Sequence, residues 1–203
     1  MIKLFGGRGA AAIIGLFMLA IGSSEAGAQT VVSANSVTAT IPAQSVSASV
    51  ASSINREASW LYSAGWPLYA LVDRYSTGTP LSEEANCIAT AVYFEARGEA
   101  LEGQLAVARV IMNRAASGQY PTSWCGVVTQ AAQFSFVHHG RMPTPKLSSD
   151  AWRKAQGITR LAMANVIPSL TSDVLWYHAD YVDPSWGHRL SFAQKIGQHI
   201  FYR

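Results

Sequence analysis

The sequence has little charge and no strong excess of either sign. Asp, Glu, Lys and Arg make up 13% of its 203 residues, which is about half of their share in a typical soluble domain. The formal net charge is +3, and no segment carries a run of basic residues. Proteins that bind nucleic acid usually show such a basic stripe. We therefore expect no nucleic-acid partner.

Charged residues are absent from residues 10–22, and the segment around this apolar run has the features of a secretory signal peptide. Lys3 and Arg8 precede it, and Ala26-Gly27-Ala28 follows as a cleavage site. The apolar run is too short for a comfortable membrane span. We expect residues 1–28 to be removed from an exported protein that has no stable membrane insertion and resides in the periplasm, the cell wall or outside the cell.

Charge is also absent from residues 29–55, which are mostly Ser, Ala, Val and Thr. No amphipathic period runs through them, so we expect a linker or disordered arm within residues 29–79. The aromatic-rich residues 54–75 fit either a short helical pair that docks on a domain or a further piece of linker. Residues 80–203 are long enough for one domain with its own core, and we expect a monomer.

Cysteine is scarce, with Cys87 and Cys125 as the two positions in the chain. An even pair in an exported chain typically forms a disulfide. Two unpaired buried thiols would fit the sequence as well. A thiol peptidase is a third possibility, in which one of these cysteines would act beside a histidine.

The remaining pattern is typical of an α+β domain. Ser82 and Ser149 precede apolar-periodic segments and predict the N-caps of two helices. Further helices are predicted over residues 101–117 and 123–130. Alternating residues predict strands at 133–137, 173–178 and 199–203, and His138-His139-Gly140 predicts a turn. We therefore predict a mostly helical fold with a small antiparallel sheet.

Glu95 stands out because it lies on the apolar stripe of the first predicted helix. It follows Ile88, Ala91 and Val92 at helical spacing, just before Gly98 ends the helix. Burying an unpaired carboxylate is costly. Either Arg97 or Arg114 pairs with it, or burial keeps it protonated and suited to act as a general acid in glycoside cleavage.

Several motifs in this region resemble one known family. The stretches YFEARGEALEGQLAVARVIMNR, YPTSWCGVVTQ, QFSF, WYHADYVDPSW and KIGQHIFYR occur in order over about residues 81–203. They are similar to the SleB-type cell wall hydrolases, the spore cortex-lytic enzymes. The resemblance implies a lysozyme-like fold related to lytic transglycosylases, and peptidoglycan as the substrate. It also implies that Glu95, the first glutamate of E-A-R-G-E, is the catalytic acid and base.

The resemblance further suggests substrate-binding residues. Gln133 and Ser135 would line the sugar groove, because their amide and hydroxyl groups suit N-acetyl and ring hydroxyl groups. Tyr177 and His178 would join them from a later strand. Phe134 or Trp176 would stack on a sugar face, although a place in the core fits these aromatic residues equally well. Arg97 and Glu99 would be structural, with Glu99 capping the following helix.

Two positions depart from the family pattern. Secreted relatives often carry cysteines where this chain has Ala132 and His138. Both members of that pair are replaced together, while Cys87 and Cys125 remain. This supports a disulfide between Cys87 and Cys125.

No second carboxylate has a spacing that marks it as a partner of Glu95. Glu99, Glu102, Asp173, Asp180 and Asp183 are candidates, and a hydrolysing muramidase would need one of them. A lytic transglycosylase would need none, because the C6 hydroxyl of the muramic acid attacks C1 of the same sugar. We favour the transglycosylase and expect no cofactor.

The sequence also fits two other functions. A metal-dependent N-acetylmuramoyl-L-alanine amidase would draw its ligands from five histidines, yet no H-E-x-x-H motif occurs. A non-catalytic module that binds cell wall would keep the fold and lose the chemistry.

Overall fold

The computed structural model describes residues 43–203, with side chains from residue 52 onward. The expected signal peptide and the first part of the expected linker lie outside these residues. Within this part of the chain, no helix is both long enough and apolar enough to cross a membrane. The described elements are α1 (Ala43–Ser63), α2 (Leu68–Arg74), α3 (Glu83–Ala96), α4 (Leu101–Ala116), α5 (Trp124–Thr129), α6 (Asp150–Ala164), β1 (Trp176–Ala179), a 3-10 turn (Gly187–Arg189), β2 (Phe192–Ile196) and β3 (His199–Tyr202).

Serine side chains begin three of these helices at the predicted positions. The hydroxyl oxygen of Ser82 accepts a hydrogen bond from the N–H of Ala85 at 3.2 Å, and that of Ser149 accepts one from Trp152 at 3.2 Å. Ser123 caps α5 in the same way. Each bond satisfies one N–H group that the start of a helix leaves without an intrahelical partner. The predicted starts of these helices are confirmed.

Helix α3 lies at the centre of the core. It packs against α4, α5 and α6, and Ile88, Ala91 and Val92 have no solvent-exposed surface. Full burial of an Ile or Val side chain contributes about 1.5–3 kcal/mol, so this stripe anchors the helix firmly. After Ala96 the chain turns away at Gly98, whose φ of +95° is unfavourable for residues with a Cβ. The glycine predicted to end the helix does so.

The helices α1 and α2 form the docked pair that was one of the two alternatives for residues 54–75. Ala58, Leu61 and Leu71 are buried against the core, and both helices contact α6. Residues 43–55, which were expected in a linker or disordered arm, are helical as the first part of α1. The packed C-terminal half of α1 provides an existing helix that can extend toward the N-terminus. Each residue added there gains one backbone hydrogen bond, and small Ala and Ser side chains are compatible with the helix.

The strands form a three-stranded antiparallel sheet in the order β1-β3-β2. Tyr177 of β1 is paired with Phe201 of β3, and His178 with Ile200. The α+β class, mostly helical with a small antiparallel sheet, is thus confirmed. The sequence pattern did not reveal β2, because a bulge between Phe192 and Gln194 interrupts its alternation.

The strand predicted at residues 133–137 is wrong, because these residues form turns. Phe134 is buried and Phe136 is partly buried, and both belong to the core, where Phe136 stacks on Phe94 with ring centroids 5.2 Å apart. The alternation therefore reflects two aromatic anchors of an irregular loop and not a strand with a hydrogen-bonded neighbour. The turn predicted at residues 138–140 is present, closed by an antiparallel bridge between His138 and Arg141.

Cys87 and Cys125 form a disulfide that joins α3 to α5. The expected pairing is confirmed, and neither sulfur is left as a free thiol. The thiol peptidase reading therefore loses its nucleophile.

Replacing both cysteines, as Cys87→Ala with Cys125→Ala, should lower the free energy of unfolding by about 2–4 kcal/mol, because the bond restricts the unfolded chain. Urea denaturation of the oxidised parent and the double variant measures this difference. The reduced parent is the matched control and should unfold close to the double variant. Equal midpoints for the oxidised parent and the double variant would contradict the expectation.

Candidate functional site

A groove of about 550 Å³ opens where the end of α3 faces the sheet. Its walls come from α3, the α3–α4 connection, α4, the loop before residue 136, β1 and the β2–β3 turn. Most of the lining is polar. The residues that line it are Phe94, Glu95, Arg97, Gly98, Glu99, Arg114, Gln133, Ser135, Tyr177, His178, Ala179, Tyr181, Gln198 and His199.

Glu95 lies on the last turn of α3 and is half-buried at the wall of this groove. No hydrogen bond or ion pair to its carboxylate occurs within the described residues. Burial raises the pKa of Glu95 above its usual value, because desolvation disfavours the charged form. A carboxyl group in this state can hold a proton nearer to neutral pH and release it to a substrate.

Neither arginine considered as a partner of Glu95 pairs with it. The guanidinium carbon of Arg97 lies 4.9 Å from the centroid of the Tyr93 ring, so this side chain stacks on α3 itself. Arg114 is buried, and its Nε donates to the carbonyl oxygen of Leu175 at 2.7 Å. Of the two states considered for Glu95, the structural ion pair is thus absent.

Glu99, the second glutamate of the motif, has a different environment. Its Oε2 accepts a hydrogen bond from the N–H of Gln198 at 3.2 Å. Its Oε1 lies 3.1 Å from Nδ1 of His199, which is within ion-pair distance of the imidazole. The expectation that Glu99 caps the next helix is wrong, because α4 starts without a side-chain cap and the carboxylate faces the β2–β3 turn.

His199 is buried on β3 beside this carboxylate. Burial lowers the pKa of its imidazole, and the nearby charge of Glu99 opposes that shift without cancelling it. The ring also meets that of Tyr177 edge-on, with centroids 5.1 Å apart.

Tyr177 and His178 both line the groove, yet their side chains lie on opposite faces of β1, as alternation in a strand requires. Burial and the neighbouring charge of Glu95 raise the pKa of Tyr177, so its phenol remains a hydrogen-bond donor. The imidazole of His178 lies on the other face, where its Nε2 is 2.9 Å from the hydroxyl of Tyr202.

Of the three residues predicted in the loop after α5, two line the groove. Gln133 and Ser135 are exposed there, within reach of a ligand. Phe134 is 4% exposed and lies in the core, so the structure does not bring it to the groove. Trp176 borders a separate cavity.

Sequence reasoning did not predict Tyr181, Gln198 and His199 as groove residues, and it considered Arg114 only as an ion-pair partner of Glu95. Tyr181 is 82% exposed at the edge of the groove, and its position in a loop gave no periodic signal. Gln198 lies in the turn before β3 and His199 begins that strand. Their place in the groove depends on the contact with Glu99, which the sequence does not show. Within the described residues, no three His, Cys, Asp or Glu side chains lie close enough together to hold a metal ion.

The sequence of this chain is similar to those of several known proteins. A family model described as cell wall hydrolase matches residues 98–202, a span that begins just after Glu95. The spore cortex-lytic enzyme of Oceanobacillus iheyensis is 33% identical over 117 residues, which is 56% of this chain and 39% of that protein. The corresponding enzyme of Bacillus subtilis is 31% identical over 123 residues, which is 59% of this chain and 37% of that protein. The chain thus spans about two fifths of the length of these curated relatives.

Two solved structures are also similar. One is the catalytic domain of the germination-specific lytic transglycosylase SleB from Bacillus anthracis, with a TM-score of 0.50 and 31% identity, covering 63% of this chain and all of that one. The other is the catalytic domain of the Bacillus cereus SleB protein, with the same TM-score and identity, covering 63% of this chain and 96% of that one.

The raised pKa of Glu95 predicts a pH dependence of stability. Because the folded state holds this proton more tightly than the unfolded state, the group favours folding at low pH, and that contribution is lost as the pH rises through the folded pKa. Glu95→Gln should therefore unfold at a higher urea concentration than the parent at pH 7, with a smaller difference at pH 4.

The exposed Glu102 offers the matched control, since Glu102→Gln should keep the pH dependence of the parent. Urea denaturation at both pH values gives the comparison. A Glu95→Gln variant that is less stable than the parent by the same amount at pH 4 and pH 7 would show that burial does not disfavour this charge.

Proposed function

The chain belongs to the cell wall hydrolase family, and on that premise we propose that it is a lytic transglycosylase that cuts the glycan strands of peptidoglycan with Glu95 as its single acid and base. The scissile bond is the β-1,4 bond between N-acetylmuramic acid and N-acetylglucosamine. The similar Bacillus anthracis SleB structure is described as the catalytic domain of a lytic transglycosylase, which favours this reaction class.

One observation carries the proposal: a half-buried carboxyl group with a raised pKa faces a polar groove and has no partner within the described chain. Such a group can donate its proton to the bridging glycosidic oxygen. The bond between C1 of muramic acid and that oxygen then breaks, and the electron pair leaves with the N-acetylglucosamine.

The second half of the reaction uses the same carboxylate. Ionised Glu95 takes the proton from the C6 hydroxyl of the muramic acid while that oxygen bonds to C1. The product is a 1,6-anhydro sugar, Glu95 is protonated again, and no water is consumed.

The contacts of the other carboxylates support a mechanism with one glutamate. Glu99 is occupied by the β2–β3 turn. Asp180 pairs with Lys195 at 2.7 Å, and Asp183 lies 3.2 Å from Nε2 of His188. Asp173 accepts a hydrogen bond from Thr171. A hydrolysing muramidase needs a second carboxylate that is free to act as a nucleophile or to activate water, and none of these four groups faces Glu95 unpaired. The fifth candidate, Glu102, is exposed on α4 and does not line the groove.

Other groove residues fit the recognition of sugars. Gln133 and Ser135 offer an amide and a hydroxyl at the exposed side of the groove, suited to N-acetyl and hydroxyl groups. Tyr177 presents a protonated phenol near Glu95. His178 would contact a sugar mainly through its backbone, because Nε2 of its ring is engaged in a hydrogen bond with the hydroxyl of Tyr202.

The proposed substrate lies outside the cytoplasmic membrane, which agrees with the signal peptide predicted at residues 1–28. The disulfide between Cys87 and Cys125 also suits an oxidising compartment. We accordingly propose that the protein is exported to the periplasm or cell wall and acts there on peptidoglycan.

Glu95→Gln should lower the rate of muropeptide release by about 10²–10⁴-fold, because glutamine can neither donate nor accept the proton. Purified protein is incubated with sacculi, and the soluble products are identified by mass spectrometry. The parent should release fragments that end in 1,6-anhydro-muramic acid, lighter by one water than reducing ends. Glu102→Gln is the control and should match the parent.

The other product patterns identify the alternatives. Reducing muramic acid ends would indicate hydrolysis and a second carboxylate. Free stem peptides would indicate an amidase, and a chelator should then stop the reaction. Binding to sacculi without soluble products would indicate a wall-binding module, and full activity of a folded Glu95→Gln variant would refute the role of Glu95.

A further inference from the structure

We propose that Glu99 is a positioning residue, which fixes the β2–β3 turn and His199 as one wall of the groove, and that it is not a second catalytic carboxylate. The inference rests on the proposed role of Glu95 and names what holds the opposite wall in place.

The carboxylate of Glu99 is committed to the turn through both of its oxygens. Oε2 accepts from the N–H of Gln198 at 3.2 Å, and Oε1 lies 3.1 Å from Nδ1 of His199. The side chain of Glu99 is 11% exposed and that of His199 is 7% exposed. Contacts with a charged group in such shielded surroundings are stronger than the same contacts on the surface.

The carboxylate of Glu99 fits between two glycines because neither has a Cβ atom. A Cβ at Gly197, in the turn, would lie 2.8 Å from Oε2 of Glu99, and a Cβ at Gly103, in the first turns of α4, would lie 3.0 Å from the same atom. The carboxylate therefore lies between the helix and the turn, with little room to move toward either.

The turn that Glu99 holds contributes directly to the groove. Gln198 and His199 both line it, and the His199 ring packs edge-on against Tyr177, which lines the groove beside Glu95. A shift of the turn would therefore move His199 and remove the ring contact that holds Tyr177 in position. A displacement of about 1 Å near a reacting group can lower a rate by about 10²-fold.

The substitution Glu99→Gln distinguishes a positioning role of Glu99 from a catalytic one. The amide oxygen of Glu99→Gln can still accept from the N–H of Gln198, and its NH₂ can donate to Nδ1 of a neutral His199. The same amide can act neither as a nucleophile nor as a base. A positioning residue should tolerate this change much better than a catalytic one.

The test compares Glu99→Gln, Glu99→Ala and Gly103→Ala in the full protein, with release of soluble muropeptides from sacculi as the readout. We expect Glu99→Ala to lower kcat by about 10²-fold, and Glu99→Gln to stay within about tenfold of the parent. Gly103→Ala should also lower kcat, because its methyl group would lie 3.0 Å from Oε2 and push the carboxylate aside, while the higher helix propensity of alanine favours a folded α4. Glu102→Gln, on the same helix and exposed, is the matched control.

Three results would overturn the inference. They are a folded Glu99→Gln variant as inactive as Glu99→Ala, a Glu99→Ala variant with parental kcat, and a Gly103→Ala variant with parental kcat. If Glu99→Ala does not fold, the other two variants still decide the question. Glu95→Gln, measured in the same assay, keeps the two proposals apart, because its activity tests the role of Glu95 whatever the Glu99 variants do.

Discussion

The rest of the site depends on one constraint: the carboxyl group of Glu95 is half-buried and has no hydrogen-bond or ion-pair partner among the described residues. A charged carboxylate in this place is disfavoured, because burial removes water and no cation among the described residues pairs with it. The two arginines considered as its partners are held elsewhere, Arg97 over the ring of Tyr93 and Arg114 against the carbonyl of Leu175. Helix α3 can carry this unfavourable group because most of its other residues are buried in an apolar core. The stability of the core and the reactivity of the site are thus properties of one helix.

The two glutamates of the motif show how environment separates chemically identical groups. Glu95 ends the buried helix and meets no donor within the described chain, whereas Glu99 receives the N–H of Gln198 and lies beside His199. Gly98 stands between them with a φ of +95° and redirects the chain, so that the second carboxylate points to the sheet. Here the second group serves the architecture of the groove.

The features predictable from sequence are those that depend on neighbours along the chain. The hydroxyls of Ser82 and Ser149 reach an N–H three residues on, and Gly98 acts within its own turn, so local rules were sufficient for the helices. Glu95 could be singled out because helical spacing alone puts it on the buried stripe. The contacts of Glu99 could not, since its partners lie about a hundred residues further along the chain. The failure at residues 133–137 has the same origin, because alternating aromatic residues cannot show whether a neighbouring strand exists to pair with them.

Helix α4 explains how the groove keeps its shape between a helical core and a small sheet. Near its end, Asn113 donates to the carbonyl oxygens of Thr171 and Val174, and the next residue, Arg114, donates to Leu175. These bonds fix the chain that leads into β1, while Glu99, just before α4, fixes the turn that leads into β3. The sheet is thus attached at both ends of one helix by buried polar groups. Loss of any one partner would leave a buried donor or acceptor unsatisfied, which costs more than the bond itself contributes. An apolar cluster of Ala106, Val110, Val174 and Phe201 also joins α4 to the sheet. The polar contacts fix the two edges of this interface, and the wall of the groove can stay polar enough to meet a sugar.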